Sequence, residues 1–208
     1  MSQEVVLPEM FTGIIQEIGT VMKTERSKGL VRLAIHAPKT ASRINQLESV
    51  AVNGVCLTAV RVGGGMCVFE LIPETQRLTN LRCVRSGSCV NLEPSLSVAD
   101  RLNGHIVLGH VDGLGTVVRR RQLQGELVLE IKVASDIGRF MIPKGSVTID
   151  GVSLTVASTV GCSRLRVHLI PETLRQTTLA HSKVKDLVNI EIDYVAKLIW
   201  QYVKQLAS

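Results

Sequence analysis

The chain has 208 residues, of which 45% are hydrophobic and 20% charged, as is typical of a folded globular protein rather than a disordered or fibrous one. Its 24 basic and 18 acidic residues give a net charge of +6, but the basic residues are scattered. Only 3% of the residues are aromatic, which excludes extensive platforms for base stacking, so no nucleic-acid partner is expected.

Short apolar runs, broken by Gly, Asn, Asp or Ser about every 8 to 12 residues, recur along most of the chain. They predict strands at residues 30–35, 66–72, 127–133 and 165–170. This spacing is typical of antiparallel barrels and sandwiches. We therefore predict small closed barrels with an aliphatic core.

Several polar segments between these runs predict turns. Asn53-Gly54 and Asp150-Gly151 are strong signals for tight hairpins, because these residues tolerate the positive φ of primed turns. Residues 63–65 are three glycines that lack the Lys of a phosphate loop, so a plain turn is predicted. The arginines at 119–121 lie between two apolar alternations and predict a solvated hairpin tip rather than a phosphate-binding patch.

The C-terminal segment predicts an amphipathic helix. Apolar residues recur at i, i+3, i+4, i+7, i+8 and i+11, and Asp193 is placed to cap the first turn; this apolar stripe consists of Val195, Leu198, Ile199, Tyr202, Val203 and Leu206. Such a stripe must be buried, either against another subunit or against the chain's own barrel. We favour the subunit contact.

The chain is also a tandem repeat. Residues 52–58 recur at 149–155, and the Leu-Ile-Pro-Glu-Thr block at 71–75 recurs at 169–173. With two further blocks, the matches keep one order at separations of 96 to 98 residues. Two homologous halves follow, with a seam near residues 98–106. Each Pro-Glu-Thr block also predicts a short helix, because Pro suits the first helical position.

The five cysteines form an odd set without a C-x-x-C pair, so neither a disulfide framework nor a zinc knuckle is indicated. No H-E-x-x-H motif or carboxylate-histidine cluster is present, so no metal site is expected. The first ten residues lack the features of a signal peptide, and no segment reaches ~18 uninterrupted apolar residues. We expect a cytoplasmic protein without a membrane span.

The motifs together resemble a known family. Residues 10–15 (MFTGII), the NGVCLT and DGVSLT blocks, Gly104-His105 with Gly109-His110, and both IPET blocks closely resemble riboflavin synthase, a trimeric lumazine-dismutating enzyme. The resemblance implies an all-β chain of two tandem six-stranded Greek-key barrels plus a C-terminal amphipathic helix. The expected boundaries are an extension at 1–9, barrels at 10–105 and 106–192, and an oligomerisation helix at 193–208.

The resemblance also implies the reaction. Two molecules of 6,7-dimethyl-8-ribityllumazine would yield riboflavin and 5-amino-6-(D-ribitylamino)uracil by transfer of a four-carbon unit, the last step of riboflavin biosynthesis. No cofactor is implied. The implied partners are the small-molecule substrate, two further copies of the chain in a homotrimer and, as a candidate, lumazine synthase.

The same resemblance implies two pockets. The N-terminal pocket would be lined by Gly13, Ile14, Ile15, Cys56, Leu57, Thr58, Glu70, Leu71, Ile72, Pro73, Glu74 and Thr75. The C-terminal pocket would use Gly109, His110, Val111, Ser153, Leu154, Thr155, His168, Leu169, Ile170, Pro171, Glu172 and Thr173. Lys144 would reach a neighbouring chain's site. The working site would form between the N-terminal barrel of one subunit and the C-terminal barrel of another.

Residue chemistry agrees with this picture. A lumazine needs backbone donors and acceptors with small hydroxyl residues, which Thr58 and Thr155 supply in both halves, although a hydroxyl that caps a turn would look the same. At three pairs of equivalent positions the two halves carry different residues, so the two pockets are not chemically identical. The pairs are Ile14 and His110, Cys56 and Ser153, and Glu70 and His168.

Catalytic roles are expected to follow these differences, because the lumazine 7-methyl group must lose a proton and C7 of the partner must be attacked. His110 is the predicted general base or proton shuttle. Ser153 and Cys56 are candidates for orienting or adding at the ring, and Thr155 completes the catalytic set. His105 is left open between a structural or interface role and a catalytic one.

Three alternatives remain open at the level of sequence. The residues before Met10 could block the first pocket, or stay clear of it. A non-catalytic lumazine- or flavin-binding protein would share the two barrels but would tend to lose the motifs of the second half, which stand here. A flavin reductase barrel would need a nicotinamide site, and no phosphate-binding glycine motif appears.

Overall fold

The computed structural model describes residues 9–27 and 29–206, which form two closed antiparallel barrels of six strands each and a C-terminal helix. The first barrel consists of β1 (Glu17–Ser27), β2 (Leu30–His36), β3 (Ser49–Val52), β4 (Val55–Gly63), β5 (Met66–Leu71) and β6 (Cys89–Pro94). The second consists of β7 (Gly113–Leu123), β8 (Glu126–Lys132), β9 (Ser146–Ile149), β10 (Val152–Val160), β11 (Arg164–Leu169) and β12 (Leu187–Ile192).

Both barrels have the same strand order, 1-2-5-4-3-6 in the first and the equivalent order in the second. Strands β3, β4 and β5 pair consecutively, and β6 returns to lie beside β3, which is a Greek key. The predicted two-barrel, all-β fold with a C-terminal helix is confirmed.

Alternating burial explains why the apolar runs form strands. In β2 the side chains of Val31, Leu33 and Ile35 are buried, while Leu30 before them and Arg32 between them are exposed. A period of two places every second residue on the inner face of a barrel. Strands are present at all four predicted runs, and their inward residues form one aliphatic core in each barrel.

The predicted hairpins at the two repeated blocks are confirmed. Asn53 and Asp150 have φ of 47°, and the glycines that follow have φ of 75° and 79°. Positive φ at both central residues is the mark of a type I′ turn, which matches the twist of the flanking strands. The three glycines at 63–65 also form a turn, between β4 and β5.

The prediction of a hairpin tip at residues 119–121 is wrong. The three arginines lie inside β7, where Arg119 pairs with Glu130 and Arg120 with Leu129. A bulge between Val117 and Arg119 lets the strand continue with these side chains exposed. The turn follows at Gln124 and Gly125, because the outer end of a barrel strand can extend into solvent without an apolar face.

Four short helices lie between strands: α1 (Pro38–Ala41), α2 (Pro73–Leu78), α3 (Ser135–Gly138) and α4 (Pro171–Gln176). Helices α2 and α4 are those predicted from the Pro-Glu-Thr blocks, and each begins at its proline. Each is followed by one 3-10 turn, at Asn80–Cys83 and Thr178–His181. These turns lie at the junction of the barrels.

A buried polar network joins the two barrels around their hairpin turns. The Asn91 amide donates to the carbonyl oxygen of Asp150 at 2.9 Å, and the Asn189 amide donates to that of Asn53 at 2.8 Å. The Asp150 carboxylate accepts from the side chain of Asn80 at 2.8 Å and the backbone N–H of Asn189 at 2.7 Å. Because Asn53 and Asp150 are repeat equivalents, the junction is close to two-fold symmetric, but only one side carries an acid.

The predicted terminal helix is α5 (Tyr194–Leu206), and Asp193 accepts a 2.9 Å hydrogen bond from the N–H of Val195. The helix does pack on its own barrel, through Ala196 and through Trp200, whose ring lies 5.7 Å from that of Phe140. The predicted apolar stripe, however, faces away and is 39% to 89% exposed. Within residues 9–27 and 29–206, no helix has the length and apolar character needed to cross a membrane.

Candidate active site

The outer faces of two strand pairs carry the candidate site residues. On β4, Val55, Leu57 and Ala59 are buried in the barrel, so Cys56 and Thr58 point outward. Strand β10 repeats this arrangement, with Ser153 and Thr155 outward. The neighbouring strands β5 and β11 present Glu70 and His168 on the same faces.

Five of the expected pocket residues have side chains that point into the barrel cores rather than outward. They are apolar side chains within the cores, at most 8% exposed, so only their backbone groups can face a ligand; these are Ile15, Leu57, Leu71, Leu154 and Leu169. The outward residues around them supply the polar contacts, and the exposed Ile72 and Ile170 supply apolar surface.

The structure exchanges the two glycine segments relative to the pockets expected from the sequence. Gly13 lies against barrel 2, where its carbonyl accepts the N–H of Ser153 at 2.8 Å. Gly109 lies against barrel 1, where its carbonyl accepts the N–H of Cys56 at 2.9 Å. A Cβ on either glycine would approach the partner's Cβ to 2.6 or 2.7 Å, so only glycine permits this contact. The grouping of residues 13–15 with the first pocket and 109–111 with the second is therefore corrected.

The hydrogen-bond partner of Ser153 is His105, not His110. The Nδ1 atom of His105 lies 2.7 Å from the Ser153 hydroxyl oxygen, and its Nε2 atom lies 3.2 Å from the hydroxyl of Thr148. Burial lowers the pKa of His105, with a smaller opposing effect of Asp193, so the imidazole is neutral near pH 7 and can accept a proton. His110 is exposed and follows the glycine that contacts Cys56.

Cys56 has a different partner at the equivalent place. Its sulfur lies 3.2 Å from a carboxylate oxygen of Glu9, which precedes His105 by 96 residues, the separation of the repeat at this point. Burial, and then the Glu9 carboxylate, raise the pKa of the Cys56 thiol to about 12. Barrel 1 therefore has a neutral thiol beside an acid where barrel 2 has a hydroxyl beside an imidazole.

Glu9 belongs to the predicted extension, and its carboxylate reaches the first candidate site. The question whether residues 1–8 block that site falls outside the described residues. The resemblance to the family begins at Met10 and does not include Glu9, although the repeat separation of 96 residues aligns Glu9 with His105. The sequence leaves the role of His105 open because alternation along a strand would place it on the face opposite His110, whereas residues 103–106 form no strand.

Polar contacts between side chains hold the other candidates. Glu70 contacts Arg32 on β2 at 2.5 Å, and His168 contacts Glu126 on β8 at 2.9 Å. In both Pro-Glu-Thr helices the glutamate pairs with the arginine three residues later. Lys144 is exposed in a turn with φ of 69°, and its N–H donates to Val156.

Both sites are open on the surface of a single chain. The grooves beside Glu70 and His168 are not lined by Cys56 or Ser153, which are half-buried on the outer faces of their strands. Ligand sites usually bury most of the ligand's surface. A ligand on these strands would need a second surface to cover it.

Both halves match the model of the lumazine binding domain, over residues 12–95 and 108–193. Fold and site therefore define a two-repeat protein of the lumazine-binding barrel class. The riboflavin synthase of Mycobacterium tuberculosis is 41% identical over 193 residues, covering 91% of this chain and 96% of its own. That of Actinobacillus pleuropneumoniae is 37% identical, covering 93% and 89%. The chain belongs to the riboflavin synthase family.

Solved structures of LumP are similar in fold. LumP complexed with 6,7-dimethyl-8-(1'-D-ribityl) lumazine aligns with a TM-score of 0.79 and 24% identity, covering 87% of this chain and 98% of that protein. LumP complexed with riboflavin aligns with a TM-score of 0.81. At this identity the likeness shows the barrel arrangement alone.

Proposed function

We propose that the protein is a riboflavin synthase, a transferase that converts two molecules of 6,7-dimethyl-8-ribityllumazine into riboflavin and 5-amino-6-(D-ribitylamino)uracil. The observation that carries the proposal is its identity of 37% to 41% to riboflavin synthases over more than 90% of the chain, including both repeats. The substrate of those relatives matches the outward hydroxyl and backbone groups of β4 and β10.

In this proposal Ser153 and His105 act as a pair. The neutral His105 imidazole takes a proton from the Ser153 hydroxyl, from a water held there, or from the lumazine 7-methyl group. Ser153 adds to or orients the ring at C7. Cys56, held neutral, orients the second lumazine in barrel 1, and His110 beside it shuttles protons. Thr58 and Thr155 bind the substrate in both halves.

We further propose that the working protein is a homotrimer. Two observations support this: the candidate sites are open on one chain, and the stripe on α5 is uncovered. In the assembly the first site of one subunit would face the second site of another, and Lys144 would reach the neighbour. Lumazine synthase is a proposed partner, and the cytoplasm, where thiols like these five stay unpaired, is the proposed location.

A non-catalytic lumazine- or flavin-binding protein is the second candidate, because the two-barrel fold is shared with LumP, whose solved structures hold such ligands. The geometry around Ser153 weighs against it, because a binder has no need of a half-buried histidine that is hydrogen-bonded to a hydroxyl. A binder would also tolerate two equivalent pockets, whereas Cys56 with Glu9 and Ser153 with His105 are chemically distinct.

The experiment supplies the purified protein with the ribityllumazine alone and follows riboflavin by absorbance. We expect one riboflavin for every two lumazines consumed, and little product from Ser153→Ala. Thr58→Ala is the matched control; it should weaken lumazine binding by about 0.5–1.5 kcal/mol, the value of one neutral hydrogen bond. Tight binding without any riboflavin would establish the binder instead.

A further inference from the structure

Two buried glutamates, Glu93 and Glu191, occupy equivalent positions near the ends of β6 and β12, 98 residues apart. Neither belongs to the site residues described above. Each carboxylate accepts hydrogen bonds from the backbone of a segment that leads into one half of the chain. These leading segments, residues 11–15 and 107–111, are the ones that cross between the barrels.

Glu93 holds the first leading segment with three hydrogen bonds. Its oxygens accept from the N–H of Thr12 at 2.7 Å, the Thr12 hydroxyl at 2.8 Å and the N–H of Gly13 at 2.9 Å. Burial raises the pKa of the Glu93 carboxyl, and the hydrogen bonds from Thr12 and Gly13 oppose this rise. The position of Gly13 is therefore set from barrel 1.

The same segment reaches the site of barrel 2. The Gly13 carbonyl accepts the Ser153 N–H, and the Thr12 carbonyl accepts the His105 N–H at 3.2 Å. Ile15 then packs in the core of barrel 2. A carboxylate of the first barrel thus fixes the backbone against both members of the Ser153–His105 pair.

Glu191 makes the reciprocal arrangement. Its oxygens accept from the N–H of Leu108 at 2.8 Å and of Gly109 at 3.1 Å. The Gly109 carbonyl accepts the Cys56 N–H, and Val111 packs against the core of barrel 1. Leu108 has no hydroxyl, so this anchor lacks the third hydrogen bond that Thr12 provides to Glu93.

We propose that Glu93 and Glu191 are positioning residues that act crosswise: Glu93 sets the site at Ser153, and Glu191 sets the site at Cys56. The consequence for turnover rests on the proposed function. The predicted effect on the geometry of each site does not rest on the proposed function, because it concerns only the contacts of each leading segment. Each site is therefore completed by the half of the chain that does not contain it.

Amide hydrogen exchange of the full-length protein, resolved at Ser153 and Cys56, tests the crossing. In Glu93→Gln one acceptor oxygen becomes a donor facing an N–H, so the Ser153 amide should exchange about tenfold faster while that of Cys56 is unchanged. Glu191→Gln is the matched variant and should show the opposite selectivity. A merely structural role would accelerate both amides together in each variant, and that result would overturn the proposal.

Turnover provides the second measurement. With lumazine as substrate, Glu93→Gln should lower kcat by about 10²-fold with little change in KM, because Ser153 and His105 are displaced while the binding face on β10 remains. Unchanged kcat together with the predicted exchange pattern would overturn the positioning role. An inactive wild-type protein would instead refute the proposed function and leave the exchange result standing.

Thr12→Val covers the case in which Glu93→Gln does not fold. It removes the Thr12 hydroxyl, which donates to Glu93 and accepts the N–H of Ile14 at 3.3 Å, and it keeps both backbone hydrogen bonds to Glu93. A smaller, still selective, acceleration at Ser153 is expected. Equal exchange at Ser153 and Cys56 in this variant would contradict the crossing.

Discussion

Asp150 is the acid of the buried polar network between the barrels, and its repeat equivalent, Asn53, is an amide. Complete burial raises the pKa of its carboxyl to about 7, and hydrogen bonds from Asn189 and Asn80 oppose this only in part. In an unfolded chain the pKa of Asp is ~3.9. The folded protein therefore binds a proton more tightly than the unfolded chain, and this contribution to stability is complete below pH ~4 and lost as the pH rises through 7.

The magnitude follows from the two pKa values. At ~1.4 kcal/mol for each pH unit between them, the whole contribution is ~4 kcal/mol, and the part lost between pH 5 and pH 8 is about 2–3 kcal/mol. Asp150→Asn should remove this dependence, because Asn keeps the acceptor for Asn80 and Asn189 and cannot ionise. Between pH 5 and pH 8, the free energy of unfolding of the variant should therefore rise by about 2–3 kcal/mol relative to that of the wild type.

Urea unfolding at fixed protein concentration, at pH 5, 6.5 and 8, measures the difference. Concentration must be held constant because an oligomer's stability depends on it. Asn53→Asp is the matched control; it places a carboxylate at the equivalent turn of barrel 1 and should steepen the loss of stability with pH. Parallel stability curves for Asp150→Asn and the wild type would refute the reasoning.

Three further predictions concern the sites and the assembly. Ser153→Ala and His105→Gln should each lower kcat by about 10²- to 10⁴-fold with little loss of binding, and the double variant should be hardly worse, because the two act as a unit; steady-state kinetics and fluorescence titration measure this. Ile199→Lys, in the uncovered stripe of α5, should shift the protein toward monomer in light scattering. Cys56 should be alkylated slowly at pH 8, and Glu9→Gln, by removing the acid that raises the pKa of the thiol, should accelerate the reaction as followed by peptide mass spectrometry.

Each of these has a control in the same chain. His110→Gln leaves the contact to Ser153 in place and should lower kcat less than His105→Gln does. Lys204→Glu lies on α5 outside the stripe and should leave the mass unchanged. Exposed Cys83 should be alkylated at the same rate with or without Glu9. If a variant and its control have equal effects, the corresponding residue has no specific role in the mechanism or the interface.

Local pattern was sufficient for much of this fold. The repeat predicted two equivalent halves, alternation predicted the strands, and the Asn-Gly and Asp-Gly pairs predicted the type I′ turns. Asp193 and the spacing of apolar residues predicted α5. The strands, the turns and α5 depend on contacts between residues near in sequence or on burial with a fixed period, so a short window contains that information. The repeat is visible in the sequence because its blocks keep one order at separations of 96 to 98 residues.

Only the tertiary structure determined how the halves are joined. The crossing of residues 11–15 and 107–111 leaves no periodic pattern, and it pairs Gly13 with Ser153 across 140 residues of sequence. The same packing determines the hydrogen bond between His105 and Ser153, the carboxylate of Glu9 at Cys56, and the face of α5 that packs on the barrel. The physical reason is that hydrogen-bond geometry and close backbone approach depend on where distant segments meet, whereas the sequence pattern specifies only which side of each segment is buried.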